Sequence, residues 1–269
     1  MLNLIKAIKT LLRILIFVFL TIVTQIGGIA YFVSLLLSFR FKMSNRTKRT
    51  FLFIGVYCVF TFLLVPLTAP MFGRERVKHS AKVSPTSYMT VLLNRNYVRP
   101  ELNVLLDKVA QNLKGTAITI NYLDANFPYI NKFPLLPHLS HNDGKKIDLS
   151  LIYETEAGKI TDKQLSNSGY GVFAEPKANE RNQIDKCLGE GFFQYDYPKY
   201  LTLGRKNKRL SFSERGTREL IEQILLIPQL GKLFIEPHLK QRLKLNNQKV
   251  RYQGCRSVRH DDHIHIQLK

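Results

Sequence analysis

Two long uncharged runs stand near the start of this chain. Ile14 to Phe39 is 26 residues without a formal charge, and Thr50 to Gly73 is another 24. A helix crosses a hydrocarbon core with about 20 apolar residues, and helices are among the few structures that satisfy their own backbone there. Each run therefore reads as a transmembrane helix, in which Gly27, Gly28 and Pro66 are tolerated. A signal sequence has a shorter apolar core, and here a second run follows at once, so a retained anchor is expected.

Charge divides the chain at the same place. Residues 1–73 contain no Asp or Glu and only 8 of the 40 Lys and Arg. The remainder holds 32 cations against all 20 anions, a net +12. The expected organisation is a membrane anchor over 1–73, a polar basic linker over 74–95 and a soluble domain over 96–269. A cytosolic enzyme is disfavoured. So is a nucleic-acid partner, because the cations are dispersed and no recognised nucleic-acid motif is present.

Between the runs, Arg40 to Arg49 carries five cations and no anion. The positive-inside rule puts such a loop in the cytoplasm, with both termini on the outer or periplasmic side of the inner membrane. Lys6, Lys9 and Arg13 on one flank, and Arg74, Arg76, Lys78 and Lys82 on the other, pull the opposite way. Cys58 falls within the second run and reads as a small apolar residue. Cys187 and Cys255 are an even pair, open to a disulfide in an oxidising compartment or to two buried thiols.

The soluble part mixes helix and strand signals. Pro100 suits a first helical position, and Leu102, Leu105, Leu106, Val109 and Leu113 follow at helical spacing up to Gly115. Thr116 to Leu123 and Ile147 to Tyr153 alternate as strands, the second with Asp148 and Ser150 away from its apolar face. Residues 162–190 are too long and polar for a simple connection, which suggests a functional or mobile loop. A helix over Thr217–Ile227 is stopped by Pro228. A short strand at Leu233–Ile235, a helix opened by Pro237 and a closing strand over Asp262–Leu268 complete the pattern. The fold expected is α+β, with a small, mainly antiparallel sheet and flanking helices, preceded by two transmembrane helices.

Five of the seven histidines fall in two clusters at strand boundaries: His138 and His141 ahead of Asp148, and His260, His263 and His265 with Asp261 and Asp262. Alternate residues of a strand share a face, so His263 and His265 project together while Ile264 and Ile266 enter the core. If the two strands pair, His141, Asp148 and His265 converge. Two imidazoles and a carboxylate suit zinc with one position open for water, the mark of a catalytic site. His79, in the linker, and His238, on a helix, read as surface residues.

These segments resemble the zinc peptidases that group lysostaphin, D-Ala-D-Ala metallopeptidases and hedgehog domains, and within them the penicillin-insensitive murein endopeptidases. That family's His-x-x-His-x-x-Gly-x-x-x-Asp segment matches at His138, His141, Gly144 and Asp148. Its His-Asp-Asp-His-x-His segment matches at His260, Asp261, Asp262, His263 and His265. Residues Lys232 to Lys240 are similar too, and the resemblance covers roughly 116–269.

The resemblance implies a zinc-dependent peptidase that hydrolyses D-alanyl amide bonds in peptidoglycan cross-links, with stem peptides as its partner. His141, Asp148 and His265 would hold Zn2+. His263 and His260 would be the catalytic pair, and His138, Asp261 and Asp262 would support the ligands or the substrate. Lys145 and Lys146 are expected to add positive charge beside the metal. The alternatives are a D,D-carboxypeptidase on uncross-linked stems and a non-catalytic wall-binding module that kept the fold. The retained pair His260 and His263 argues against the last, because binding alone needs only the ligands.

Overall fold

The computed structural model describes residues 2–205 and 207–269. Two of its helical segments, Leu4–Thr24 and Arg46–Phe72, are long and apolar enough to cross a membrane. The first does not follow the expected span over Ile14–Phe39. The chain turns at Gln25, whose φ is +65°, and a separate helix, Gly27–Arg40, folds back along Leu2–Thr24. Thr24 makes the turn by accepting the Gly27 N–H on its hydroxyl at 2.8 Å. Close approach depends on the glycine pair. A Cβ on Gly27 would lie 2.6 Å from the Thr24 hydroxyl, and one on Gly28 would lie 2.8 Å from the Phe17 carbonyl and closer still to Thr21.

The hairpin changes the meaning of the charges. The N-terminal end of the first helix, with Lys6, Lys9 and Arg13, now lies at the same end of the bundle as the basic loop after Arg40. Those two sets of cations no longer oppose each other. The third helix starts at Asn45, whose side chain accepts the Thr47 N–H at 2.8 Å, and it widens into a π-turn over Phe60–Leu64. The widening immediately precedes Pro66, which cannot donate to the helical ladder.

Residues 74–95, expected as a linker, are part of the folded domain. Arg74 is buried, donating to the carbonyl of Phe127 and, at 2.6 Å, to the Asn131 side chain. Glu75–Arg76 pairs antiparallel with Tyr97–Val98. Val83–Pro85 forms one edge of a six-stranded sheet. From that edge the order is Val83–Pro85, Ile120–Tyr122, Lys146–Ser150, His263–Leu268, Leu230–Phe234 and Val250–Arg251. The three inner junctions are antiparallel and both outermost ones are parallel. The α+β class holds, but the sheet is mixed and larger than the small, mainly antiparallel one expected. Two- and three-residue edge strands extend it, and these are too short to show periodicity.

Helix Pro100–Asn112 buries Leu102, Leu105, Leu106 and Val109, and helix Glu214–Leu225 buries Leu220, Ile221 and Ile224. Both join one core with Ile147, Leu149, Ile264 and Ile266 of the two central strands. Each fully buried aliphatic side chain contributes about 1.5–3 kcal/mol. The core holds this face of the sheet against the helices and leaves the other face for polar chemistry. Tyr153–Glu154, expected to continue the Ile147 strand, instead joins a separate three-stranded sheet with Ile160–Thr161 and Ser211–Phe212. Cys187 and Cys255 form a disulfide.

Gly28→Leu is expected to force the hairpin open. The check is thermal unfolding in detergent micelles, where overpacking at this contact should cost about 1–3 kcal/mol. Gly55→Leu, at a position with open space around it, should leave the midpoint nearly unchanged.

Candidate metal centre

The register of two neighbouring strands builds the centre. His265 stands opposite Asp148, and Ile264 opposite Leu149. With side chains alternating, His265 and Asp148 share one face while Ile264 and Leu149 go to the core. His265 Nδ1 lies 2.8 Å from Asp148 Oδ1. The loop before the Asp148 strand brings in His141, whose Nε2 is 3.0 Å from His265 Nδ1 and 3.1 Å from Asp148 Oδ1. All three residues are buried.

His141 Nδ1 faces the Ala125 carbonyl at 2.7 Å. A carbonyl only accepts, so Nδ1 carries the proton and the Nε2 lone pair is turned toward the other two donors. Three donor atoms 2.8 to 3.1 Å apart come close to the edge of a tetrahedron with bonds of about 2.1 Å, which is about 3.4 Å. The group can hold a metal ion, and nitrogen with carboxylate oxygen suits several divalent transition metals.

The electrostatics agree with that use. Burial pushes His265 down to about 4, so its ring is neutral. Burial also holds His260 well below the usual imidazole value, helped by His263 and His265. For Asp148 burial alone would favour the protonated acid, but the imidazoles of His141, His263 and His138 keep its pKa well below the carboxylate range. Burial works to lower His263 too, yet the Asp262 and Asp148 carboxylates carry it up to about 9.

The remaining expected residues fall into place one by one. His138 donates from Nδ1 to the second oxygen of Asp148 at 2.7 Å. Asp262 holds His263 Nδ1 at 2.5 Å and accepts the Gly171 N–H at 2.6 Å. The Nε2 atoms of His138 and His263 are buried and have no hydrogen-bond partner among the described residues; His263 Nε2 is 3.8 Å from Asp148 Oδ2. The His260 ring packs 4.8 Å from that of His263, centroid to centroid, and the His260 backbone N–H donates to the Glu236 carboxylate at 2.9 Å.

Asp261 orients no ring of the centre. Arg259 grips it with two bonds of 2.7 and 2.5 Å, and the Arg259 guanidinium lies 3.7 Å from the centroid of the Phe173 ring. His238, expected at the surface, is fully buried with Nε2 donating to the Ala174 carbonyl at 2.9 Å. Lys145 and Lys146 are engaged away from the metal ligands. Lys145 reaches the Lys269 carbonyl at 2.8 Å, and Lys146 pairs with Asp143 at 2.5 Å.

Tyr170 went unnoticed in the sequence. Its hydroxyl donates to Asp148 Oδ2 at 2.8 Å, and its ring lies 4.7 Å from His138 and 5.1 Å from His263. Burial and the carboxylates of Asp148 and Asp124 hold its pKa well above 10, so it remains a donor. The flanking Gly169 and Gly171 have φ of +86° and +79°, and a Cβ at either would run into Leu123 or Pro198. A Gly-Tyr-Gly triplet inside a polar loop was the available signal.

A cleft of about 490 Å³ borders the centre, lined by His138, His260 and His265 together with Gln194, Tyr197 and Arg256. A smaller hollow of about 150 Å³ meets it at Pro137 and His138 and is lined by Tyr170, Met89, Leu93 and Leu203. No family model matches this chain, and no curated protein matches it, so the geometry is the basis for reading its chemistry.

His265→Ala should bind a divalent transition metal at least about 100-fold more weakly, and Tyr170→Phe about 10-fold more weakly, as for a lost ligand and a lost ligand support. Competition against a chromophoric chelator measures both. Wild-type affinity in His265→Ala would remove this residue from the ligand set.

Proposed function

We propose that the chain is a membrane-anchored zinc peptidase resembling the penicillin-insensitive murein endopeptidases, and that it hydrolyses D-alanyl amide bonds in peptidoglycan cross-links. The observation that carries the reading is the centre itself: His141, Asp148 and His265 turned toward one point, with the buried His263 beside them and His260 and His265 lining a cleft. A binding module would need the three ligands but not two further buried imidazoles.

His141 Nε2, His265 Nδ1 and Asp148 Oδ1 are the atoms that would hold zinc. When bound, zinc polarises the scissile carbonyl and brings the pKa of its water toward 7. The chain's own residues do the rest. Asp262 fixes the His263 ring through Nδ1, which leaves Nε2 free to accept a proton from the attacking water and pass it to the leaving amine. With a cation held by His141, Asp148 and His265, its charge would oppose protonation of the neighbouring His263 and offset the pull of Asp262 and Asp148. His260, kept neutral by burial, lines the cleft where the carbonyl oxygen gains negative charge and can donate to it. His138 and Tyr170 both bind the second oxygen of Asp148 and hold the carboxylate in place.

The cleft also bears on the bond. Space on both sides of His138 suits a peptide that continues past the scissile amide, as a cross-link does, better than a stem ending there. Among the described residues Arg256 is the cation in the larger arm and no carboxylate lines its wall, which suits an acidic stem peptide. The anchor favours the inner membrane, with the basic helix ends in the cytoplasm and the catalytic domain on the outer or periplasmic side.

Incubating the full chain in detergent with cross-linked muropeptide dimers should give monomers by mass spectrometry, with the reaction stopped by a chelator and restored by zinc. Release of terminal alanine alone would make the protein a D,D-carboxypeptidase. No product from the zinc-loaded protein would leave a binding module. His263→Ala should retain zinc and lose about 10²–10⁴ in turnover. For sidedness, a periplasm-dependent reporter fused after Lys269 should be active and one fused before Met1 inactive; the reverse pattern would exclude a wall substrate.

A further inference from the structure

We infer that the catalytic domain docks on the lipid bilayer through the short helix Tyr88–Leu92, so that the smaller arm of the metal cleft opens at the membrane surface. The inference rests on the membrane reading of the long helices and is independent of the reaction catalysed.

The third helix carries the argument. Thr61, Val65 and Ala69, at four-residue spacing, are buried, and Tyr57 before them is half-buried. This is the stripe on which the domain packs. Tyr57 donates its hydroxyl to the Leu92 carbonyl at 2.7 Å, Asn94 donates to the Thr61 hydroxyl at 3.1 Å, and Arg76 donates to the Thr61 carbonyl. Val65 and Ala69 form a small core with Ile26 and Tyr97.

Away from that stripe, the same stretch exposes Val59, Leu63, Leu67 and Met71. Such a surface on an uncharged helix is covered by lipid. Lipid and domain therefore stand at the same height along the helix. Tyr57 precedes Ala69 by twelve residues, so the domain packs along about 18 Å of this helix at 1.5 Å per residue. The domain cannot hang clear of the bilayer while it holds Tyr57 and Thr61.

The part of the domain at that height is suited to lipid. Helix Tyr88–Leu92 hangs directly on Tyr57 through Leu92, and Tyr88 and Met89 project outward with 74% and 50% of their surfaces exposed. Tyrosine is favoured at the headgroup level, where one end of its ring is apolar and the other wet. Arg76 lies 5.7 Å from the centroid of the Phe62 ring, a cation at the edge of the apolar belt. Met89 also lines the smaller arm, together with Leu93, Leu203, His138 and Tyr170. A substrate reaching the centre along this arm enters from the lipid surface.

The chain contains no tryptophan, so a single introduced one reports its own surroundings. The full chain is reconstituted in phosphatidylethanolamine–phosphatidylglycerol vesicles, with or without bromine on the upper acyl carbons. Tyr88→Trp, and Met89→Trp as a second probe of the same surface, should show blue-shifted emission and roughly twofold quenching by the brominated lipid. Leu63→Trp, on the exposed face of the anchor, should be quenched, and Phe193→Trp, exposed near the larger arm, should not. Quenching at Leu63→Trp with water-like, unquenched emission at both Tyr88→Trp and Met89→Trp would overturn the docking while leaving the anchor intact. No quenching even at Leu63→Trp would overturn it together with the membrane reading. Equal quenching at Phe193→Trp would show that the surface is not the Tyr88 helix.

Discussion

The antiparallel pairing of His263–Leu268 with Lys146–Ser150 is the contact on which the rest of the domain turns. A slip of one residue would send His265 and Asp148 into the apolar core and turn Ile264 and Leu149 to the polar face. The apolar residues therefore enforce the register that the metal ligands need. Burying Ile147, Leu149, Ile264 and Ile266 against the two helices fixes the positions of Asp148 and His265 without either contributing to that core. The polar face, in turn, is satisfied almost entirely from within. His138 and Tyr170 occupy one oxygen of Asp148, the other faces His141 and His265, and Ala125 fixes the tautomer of His141. Buried networks of this kind are stable only when nearly every member is paired. The free Nε2 atoms of His138 and His263 are thus its informative exceptions.

Much of this was legible in the residues. Asp148, His263 and His265 sit on strands, where a two-residue period converts directly into a shared face, and His141 stands in the loop just ahead of Asp148. The helices at Pro100 and Pro237 and the closing strand were marked by proline position and alternation. Asp261 and Asp262 could not be told apart in the sequence as supports for a histidine; only Asp262 holds one, while Asp261 is taken by Arg259.

What escaped depended on the path of the chain in three dimensions. Tyr170 reaches Asp148 from a loop with no periodicity. His238 sits on a helix whose pattern looked like surface, but a carbonyl from that same loop region covers it. Val83–Pro85 is three residues long and joined the sheet only because Ile120–Tyr122 offered it an open edge. The first apolar run concealed a turn because Gln25 and Ile26 carry no charge, and hydropathy alone does not distinguish one long helix from a hairpin. Gly27 and Gly28, which look merely tolerated in a single span, are what permits the two helices to touch.

The strand at the centre of the sheet, which supplies His263 and His265, is also the last strand in chain order. The Asp148 strand that it pairs with is separated from it by more than a hundred residues, including the Gly-Tyr-Gly loop, the disulfide-linked segments and helix Glu214–Leu225. While the polypeptide is being made, the apolar N-terminal helices and most of the scaffold exist before the ligand set can close. Any activity that depends on that set is then latent by construction: a chain made only as far as Leu230–Phe234 does not carry it, and it begins when His263–Leu268 slides into the gap between Lys146–Ser150 and Leu230–Phe234.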